Sequence, residues 1–422
     1  MTKKTIFYDL TELLYLSRGY KGYYGIAKVV AEGAKTAFRM DKGIRFIAYN
    51  QGFNGFTEVF PKLNADAEGG VDLNIPNAGL PLFIRRVFPI KRKGEEKLAR
   101  YIGPIFDLIE RLRWHRTGIP FKKVDLTNGI FVSCARPKLM VHPIKALRQF
   151  EDTQVHALLH DAIPMHDLRL SGENFTSSFQ ADTDYVIRNS DQIIANSHFS
   201  ADDLENWAEK GDLSEAKRMS VAQLAHECQV GDSAPELLLP ERPFVLMVGT
   251  SLGRKNLDVV LSAIKKLVSD GKGTPLLVLA GRRRKRTIEF LDTAEMAEVK
   301  PHVLQIDSPS QTDLERLYKA CLAVVLPSRI EGWGLPAAEA LWHGKPAFCS
   351  DIPVLREVCG DMGQYFDLHD TETLAGYLDR IATDAAWRQE LDEIIAQNRD
   401  KLRTWDDFGH DLIARVEEVM SA

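Results

Sequence analysis

Short apolar runs alternate with amphipathic stretches along nearly the whole chain, the pattern of strands and helices joined as parallel βαβ units. In the first half the predicted strands are KTIFYDL, IRFIAYN, part of KVDLTNGIFVS, HALLHD and QIIANS. In the second half they are PFVLMVG, PLLVLAG, HVLQID, CLAVVLP, PAFCSD and QYFD. The second set is the more regular, each strand closing on Gly, Asp or Pro before a helix begins. LDVVLSAIKKLVSD and QTDLERLYKA both place apolar residues at i, i+3, i+4 and i+7, one face of a helix. Between the two sets, LLLPERPF (237–244) is punctuated by proline and reads as a linker. The expectation is an α/β protein with two Rossmann-like domains, residues 1–237 and 243–403, facing across a cleft. Ligands would bind beyond the carboxyl ends of the strands. Residues 50–120, rich in Gly, Pro and basic side chains, break the rhythm and read as an insertion in the first domain.

The length of 422 residues suits two such domains. With 45% hydrophobic and 27% charged residues the composition is that of a soluble globular protein, and a net charge of −5 argues against a general nucleic-acid binder. Cys134, Cys228, Cys321, Cys349 and Cys359 form no CxxC pair and no Cys/His zinc spacing, so free thiols in a reducing compartment are expected. The N-terminus MTKKTIFYDL has no signal-peptide core, and no apolar run is long enough to span a bilayer. A cytoplasmic enzyme is the expectation.

The chemistry concentrates in SRIEGWGLPAAEALWHGKP, residues 328–346, which follows a strand and opens a helix near Pro336. Gly332 and Gly334 remove side chains where a backbone must approach a ligand closely. The helix start offers unpaired N–H groups and a positive dipole end, which suits a diphosphate. Glu331 stands before the loop and Glu339 is expected in the first helical turn; such carboxylates can hold the vicinal hydroxyls of a ribose or a sugar.

PSRIEGWGLPAAEAL closely resembles the signature of the retaining glycosyltransferase family 4, a strand ending in Pro-Ser followed by E-G-[FW]-G-L-P-x-x-E-A. The resemblance implies the GT-B fold, with a nucleotide-sugar donor domain second and a C-terminal helix, residues 404–422, returning to the first domain. GTSLGRKNLDVVLSAI looks like the family's first strand-loop-helix of the donor domain, which implies that Gly249, Arg254, Lys255 and Asn256 meet the donor and that the two cations offset the charge of the leaving diphosphate. By the same resemblance Gly332, Trp333, Gly334, Leu335 and Glu339 bind the donor. Glu331 and Glu339 are committed to hydroxyls of the sugar and the ribose. LVLAGRRRKR resembles the next strand and loop, although a run such as Arg282–Arg286 is most often a solvated face. Asp307 stands where the family often has glycine near the base.

In the first domain YDLTELLYLSRGYKGYYGIAKVVAEGA resembles the family's opening strand and glycine loop, with Gly25, and alternatively Gly22, passing close to the donor or acceptor. HALLHDAIPMHD resembles the His-Asp pair at a central strand end, which maps His160 and Asp161 onto the cleft. Ser197 is expected to cap a helix. Trp405, in TWDDFGHDLIARVEEVM, would anchor the returning helix. ALWHGKPAFCSDIPVLREV resembles bacterial surface-polysaccharide mannosyltransferases, which implies GDP-mannose as donor.

The implied reaction is same-face transfer with retention: the departing phosphate accepts the acceptor's proton while His160 bonds the donor sugar, with His160, Arg254, Lys255 and Glu331 as the catalytic set. No Asp-x-Asp stands at a strand end, so neither a catalytic metal nor another cofactor is required. Residues 84–116 carry ten Lys/Arg against four Asp/Glu, mixed with Ile, Val and Phe. That mixture suits contact with an anionic membrane, and a lipid-linked glycan acceptor with it; a solvated insertion fits the same composition. Two alternatives stay open, an inactive scaffold in a polysaccharide assembly complex and a glycosidic phosphorylase. A NAD enzyme is disfavoured because no G-x-G-x-x-G follows a strand.

Overall fold

The structure, a computed structural model, describes residues 4–16, 25–50, 53–75, 108, 112, 114–115, 118–166, 173–228, 237–250 and 252–420. Gly22 and nearly all of the basic segment 84–116 lie outside these residues; of that segment Leu108 and Leu112 are exposed and Trp114 is buried.

Each predicted apolar run forms a strand, because a parallel strand covered by helices on both faces must be apolar on both. The first domain holds β1 (Ile6–Asp9), β2 (Arg45–Asn50), β3 (Gly55–Val59), β6 (Lys123–Val124), β7 (Ile130–Ser133), β8 (Gln154–Leu159), β9 (Gln192–Ala195) and β10 (Met219–Val221). They form one sheet in the order β10-β9-β8-β7-β1-β2-β3-β6. β3 and β6 are antiparallel additions at one edge that the apolar pattern does not predict as a pair. The short strands β4 (Lys62–Leu63) and β5 (Val71–Asp72) pair only with each other. The second domain is wholly parallel: β11 (Phe244–Val248), β12 (Leu276–Ala280), β13 (Val303–Ile306), β14 (Ala323–Leu326), β15 (Ala347–Ser350) and β16 (Gly363–Phe366), ordered β13-β12-β11-β14-β15-β16. The strand order of each sheet reverses beside its first strand, β1 and β11, and residues at the carboxyl ends of β8, β9, β11 and β12 line one cleft.

The helix Trp405–Met420 returns to the first domain and lies on the helix Ile26–Arg39. Trp405 is fully buried and donates from Nε1 to the Glu227 carbonyl at 2.9 Å, while Asp406 accepts from Thr36 at 2.8 Å and pairs with Arg39. One buried apolar cluster includes Tyr8 and Val30 of the first domain, Leu246, Trp333 and Leu341 of the second, and Trp405 and Phe408 of the crossing helix. The floor of the cleft is therefore continuous with the core. All five cysteines are buried, and none is in a disulfide.

Candidate active site

A cavity of about 370 Å³ lies between the domains, and the motif loop forms one wall of it. Of the residues singled out by sequence, Gly25, His160, Gly249, Lys255, Glu331, Gly332, Trp333, Gly334, Leu335 and Glu339 line it, together with Asp161. Arg254 does not line it and donates instead to Glu331, which does. Asn256 does not line it: with a left-handed backbone (φ 51°) it caps the helix Leu257–Ser269, and its buried amide donates to the Leu368 carbonyl at 2.8 Å.

Glu331 is the centre of the donor-domain wall. It accepts from Lys255 Nζ at 2.6 Å, Arg254 Nη1 at 2.8 Å and Ser328 Oγ at 2.6 Å. Burial alone would raise its carboxyl; the Lys255 and Arg254 cations outweigh burial and hold it down at about 2. Burial draws the Lys255 ammonium below its ordinary value, with Glu331 opposing. Arg254 has five N–H donors and Lys255 three, so after binding one carboxylate both retain capacity for a phosphate.

Across the cavity His160 directly follows β8. Its Nε2 lies 2.7 Å from the Cys134 carbonyl, which can only accept, so Nε2 carries the hydrogen and Nδ1 is left as an acceptor. Burial lowers this imidazole to about 4, and the ring is neutral near pH 7. Next to it, burial raises the Asp161 carboxyl to about 6, although the Ile163 amide donates to it at 3.1 Å and Arg254 lies near.

Glu339 differs from its expected position. The helix Leu335–Trp342 begins after Gly334, which puts Glu339 fifth and therefore in the second turn rather than the first. From there its two oxygens accept from Lys28 Nζ at 2.7 Å and Tyr318 Oη at 2.8 Å. Neither partner was read from the sequence. The available signal was a set of charged residues, Lys28, Glu32 and Lys35, on one face of the helix Ile26–Arg39; they are all buried.

The motif glycines also have a role in the fold. A Cβ on Gly332 would run into the His160 carbonyl and lie 3.1 Å from Asp161 Cβ, so the missing side chain lets the domains touch. The Gly332 carbonyl accepts from Ser197 Oγ (2.8 Å) and Ser200 Oγ (3.2 Å), and Ser197 also caps its helix by accepting from the Ser200 amide at 2.9 Å. Gly334 is needed for its backbone, at φ 104°, with Leu355 Cδ2 2.6 Å from any added Cβ. Trp333 donates across the interface to the Ala225 carbonyl at 3.2 Å.

Arg283 to Arg286 are exposed. Asp307 accepts from the Arg283 amide at 2.9 Å and so braces that basic loop. Among the described residues no group of three or more His, Cys, Asp or Glu is arranged to hold a metal ion.

Residues 232–401, which span nearly all of the second domain, match the family model "Glycosyl transferases group 1". The chain is 30% identical over 146 residues to O-antigen chain mannosyltransferase B of Escherichia coli, covering 35% of this chain and 38% of that protein. It is 26% identical over 244 residues to the serotype-specific mannosyltransferase WbdA of Escherichia coli, covering 55% and 29%. The chain thus spans well under half the length of these relatives. Among solved structures, sucrose-phosphate synthase from Thermosynechococcus elongatus superposes with a TM-score of 0.65 at 17% identity, over 99% of this chain and 100% of that one. A glycosyltransferase from Rickettsia africae superposes at 0.59 with 13% identity, over 100% and 99%. The fold is GT-B, with the C-terminal helix crossing back. No helix among the described residues is long and apolar enough to cross a membrane.

Proposed function

We propose that this chain is a retaining glycosyltransferase of family 4 that moves a hexose, mannose from GDP-mannose, onto a hydroxyl of a glycan in bacterial surface-polysaccharide synthesis. The observation that carries the reading is the Glu331–Lys255–Arg254 cluster facing a neutral His160 across the interdomain cavity. The mannose assignment is supported by the names of the Escherichia coli relatives.

In this reading the donor diphosphate lies at the start of the helix Leu335–Trp342, where Lys255 and Arg254 neutralise charge as the bond to the sugar breaks. Glu331, ionised, accepts from hydroxyls of the sugar, and His160 accepts a further sugar hydroxyl at Nδ1. Glu339 accepts from the ribose. The departing phosphate takes the acceptor's proton on the face where the acceptor attacks, so the protein contributes position and charge. The acceptor is lipid-linked in this scheme, and the basic segment 84–116 meets the anionic membrane that carries it.

The test is transfer from a panel of nucleotide sugars, GDP-mannose first, to mannose-containing acceptors, with the anomeric configuration of the product read by NMR. A product with the donor's configuration supports the reading. An inverted product overturns the retaining assignment, and free sugar without transfer overturns the activity.

A further inference from the structure

We propose that Lys28, on the first domain, is a positioning residue for the donor: by holding Glu339 it makes recognition of the ribose hydroxyls depend on the two domains being together. This rests on the donor-site reading above and extends it to a residue of the opposite domain.

The geometry is specific. Lys28 Nζ lies 2.7 Å from one oxygen of Glu339 and Tyr318 Oη donates to the other at 2.8 Å. The Lys28 and Glu339 side chains are only 5% and 7% exposed, yet both residues line the cavity. Each carboxylate oxygen accepts about two hydrogen bonds, so one donor on each leaves a matched pair of lone pairs. A matched pair suits the adjacent hydroxyls of a ribose. The Lys28 ammonium also lies 5.5 Å from the centre of the Trp405 ring, so one cation joins the glycine-loop helix, the donor carboxylate and the crossing helix.

Stability alone is a poor reason for such a pair, since desolvation offsets most of what a buried ion pair gains. Burial would by itself lower the Lys28 ammonium, and the Glu339 carboxylate beside it reverses this and raises it, so Lys28 stays charged. A carboxylate oriented by two donors in a cavity wall is useful when a ligand must donate hydrogen bonds to it.

The experiment compares the dissociation constants of GDP, UDP and ADP with those of their 2′-deoxy forms, on the whole chain and on Lys28→Met. For the nucleotide that the wild type binds, the ribose form should be preferred by about tenfold, as losing one hydrogen bond to a charged group implies. In Lys28→Met that preference should fall to about threefold or less, and Lys28→Arg should restore most of it. A purely structural role for Lys28 would weaken both forms equally, and an undiminished preference in Lys28→Met overturns the inference. If Lys28→Met does not fold, Tyr318→Phe takes its place, removing the other donor while keeping the ion pair. It should cut the preference about threefold, and an unchanged preference overturns the proposal. Failure of the wild type to bind any of the three diphosphates is a separate result, which sinks the donor-site reading and this inference with it.

Discussion

Glu331 and Glu339 belong to one motif, are both buried and are both ion-paired, but their surroundings are assembled in different ways. Glu331 draws Lys255, Arg254 and Ser328 from its own domain. Glu339 draws Tyr318 from its own domain and its cation, Lys28, from the other. The first carboxylate is organised however the domains are oriented, whereas the second is complete only when they meet. In the proposed reading, the sugar end of the donor meets a site built within one domain, and the ribose end meets one that both domains complete.

The largest expected effect separates the two sites. Lys255→Ala should reduce transfer by about 10²–10³-fold, the scale of losing one preorganised group that stabilises developing charge. It should leave the ribose preference unchanged, the reverse of the Lys28 variants. Initial rates together with a thermal melt check this, and near-normal turnover by folded protein would remove Lys255 from the mechanism.

The next contrast is with pH. Glu331 sits at about 2 in the folded protein against an ordinary 4.5, so its ionisation stabilises the fold fully above pH 4.5. That contribution is lost as the pH falls from 4.5 through 2, and it amounts to something on the order of 3 kcal/mol. The advantage of wild type over Glu331→Gln should thus be greatest above pH 4.5 and shrink below it in denaturant titrations. A difference that stays constant down to pH 3 would show that the two cations do not hold Glu331 down.

Smallest is the effect at the interface itself. Gly332→Ala forces a methyl group against the His160 carbonyl and should cost about 2 kcal/mol, the scale of overpacking in a core. Equal stability in Gly332→Ala and wild type would mean that the contact between the domains is looser than the Ser197–Gly332–Ser200 bonds imply.

Much of this was legible in the sequence, and the omissions have physical causes. Parallel strands such as PLLVLAG and CLAVVLP are covered on both faces, so their burial is written as unbroken apolar runs. GFTEV is not such a run: it pairs antiparallel with β2 and β6 and carries Thr57 and Glu58, which are buried all the same. The motif loop could be read because its residue types are dictated locally, by a helix start and a turn. Lys28 could not, since a lysine near a helix start ordinarily reads as solvated, and its partner lies in the other domain. The role of Gly332 was hidden for the same reason: what it must avoid is the backbone at His160. Asn256 was carried into the site by its neighbours in the motif, whereas its left-handed backbone turns the amide towards Leu368.

The most direct test of the central claim is a thermal-shift measurement of the whole chain with GDP, UDP, ADP and dTDP. Ligand that binds only the folded state at a hundred times its Kd adds about 2.7 kcal/mol of stability. The account predicts a clear rise in melting temperature with one diphosphate, GDP if the donor is GDP-mannose. No rise with any of the four would contradict the reading of the cleft as a nucleotide-sugar site.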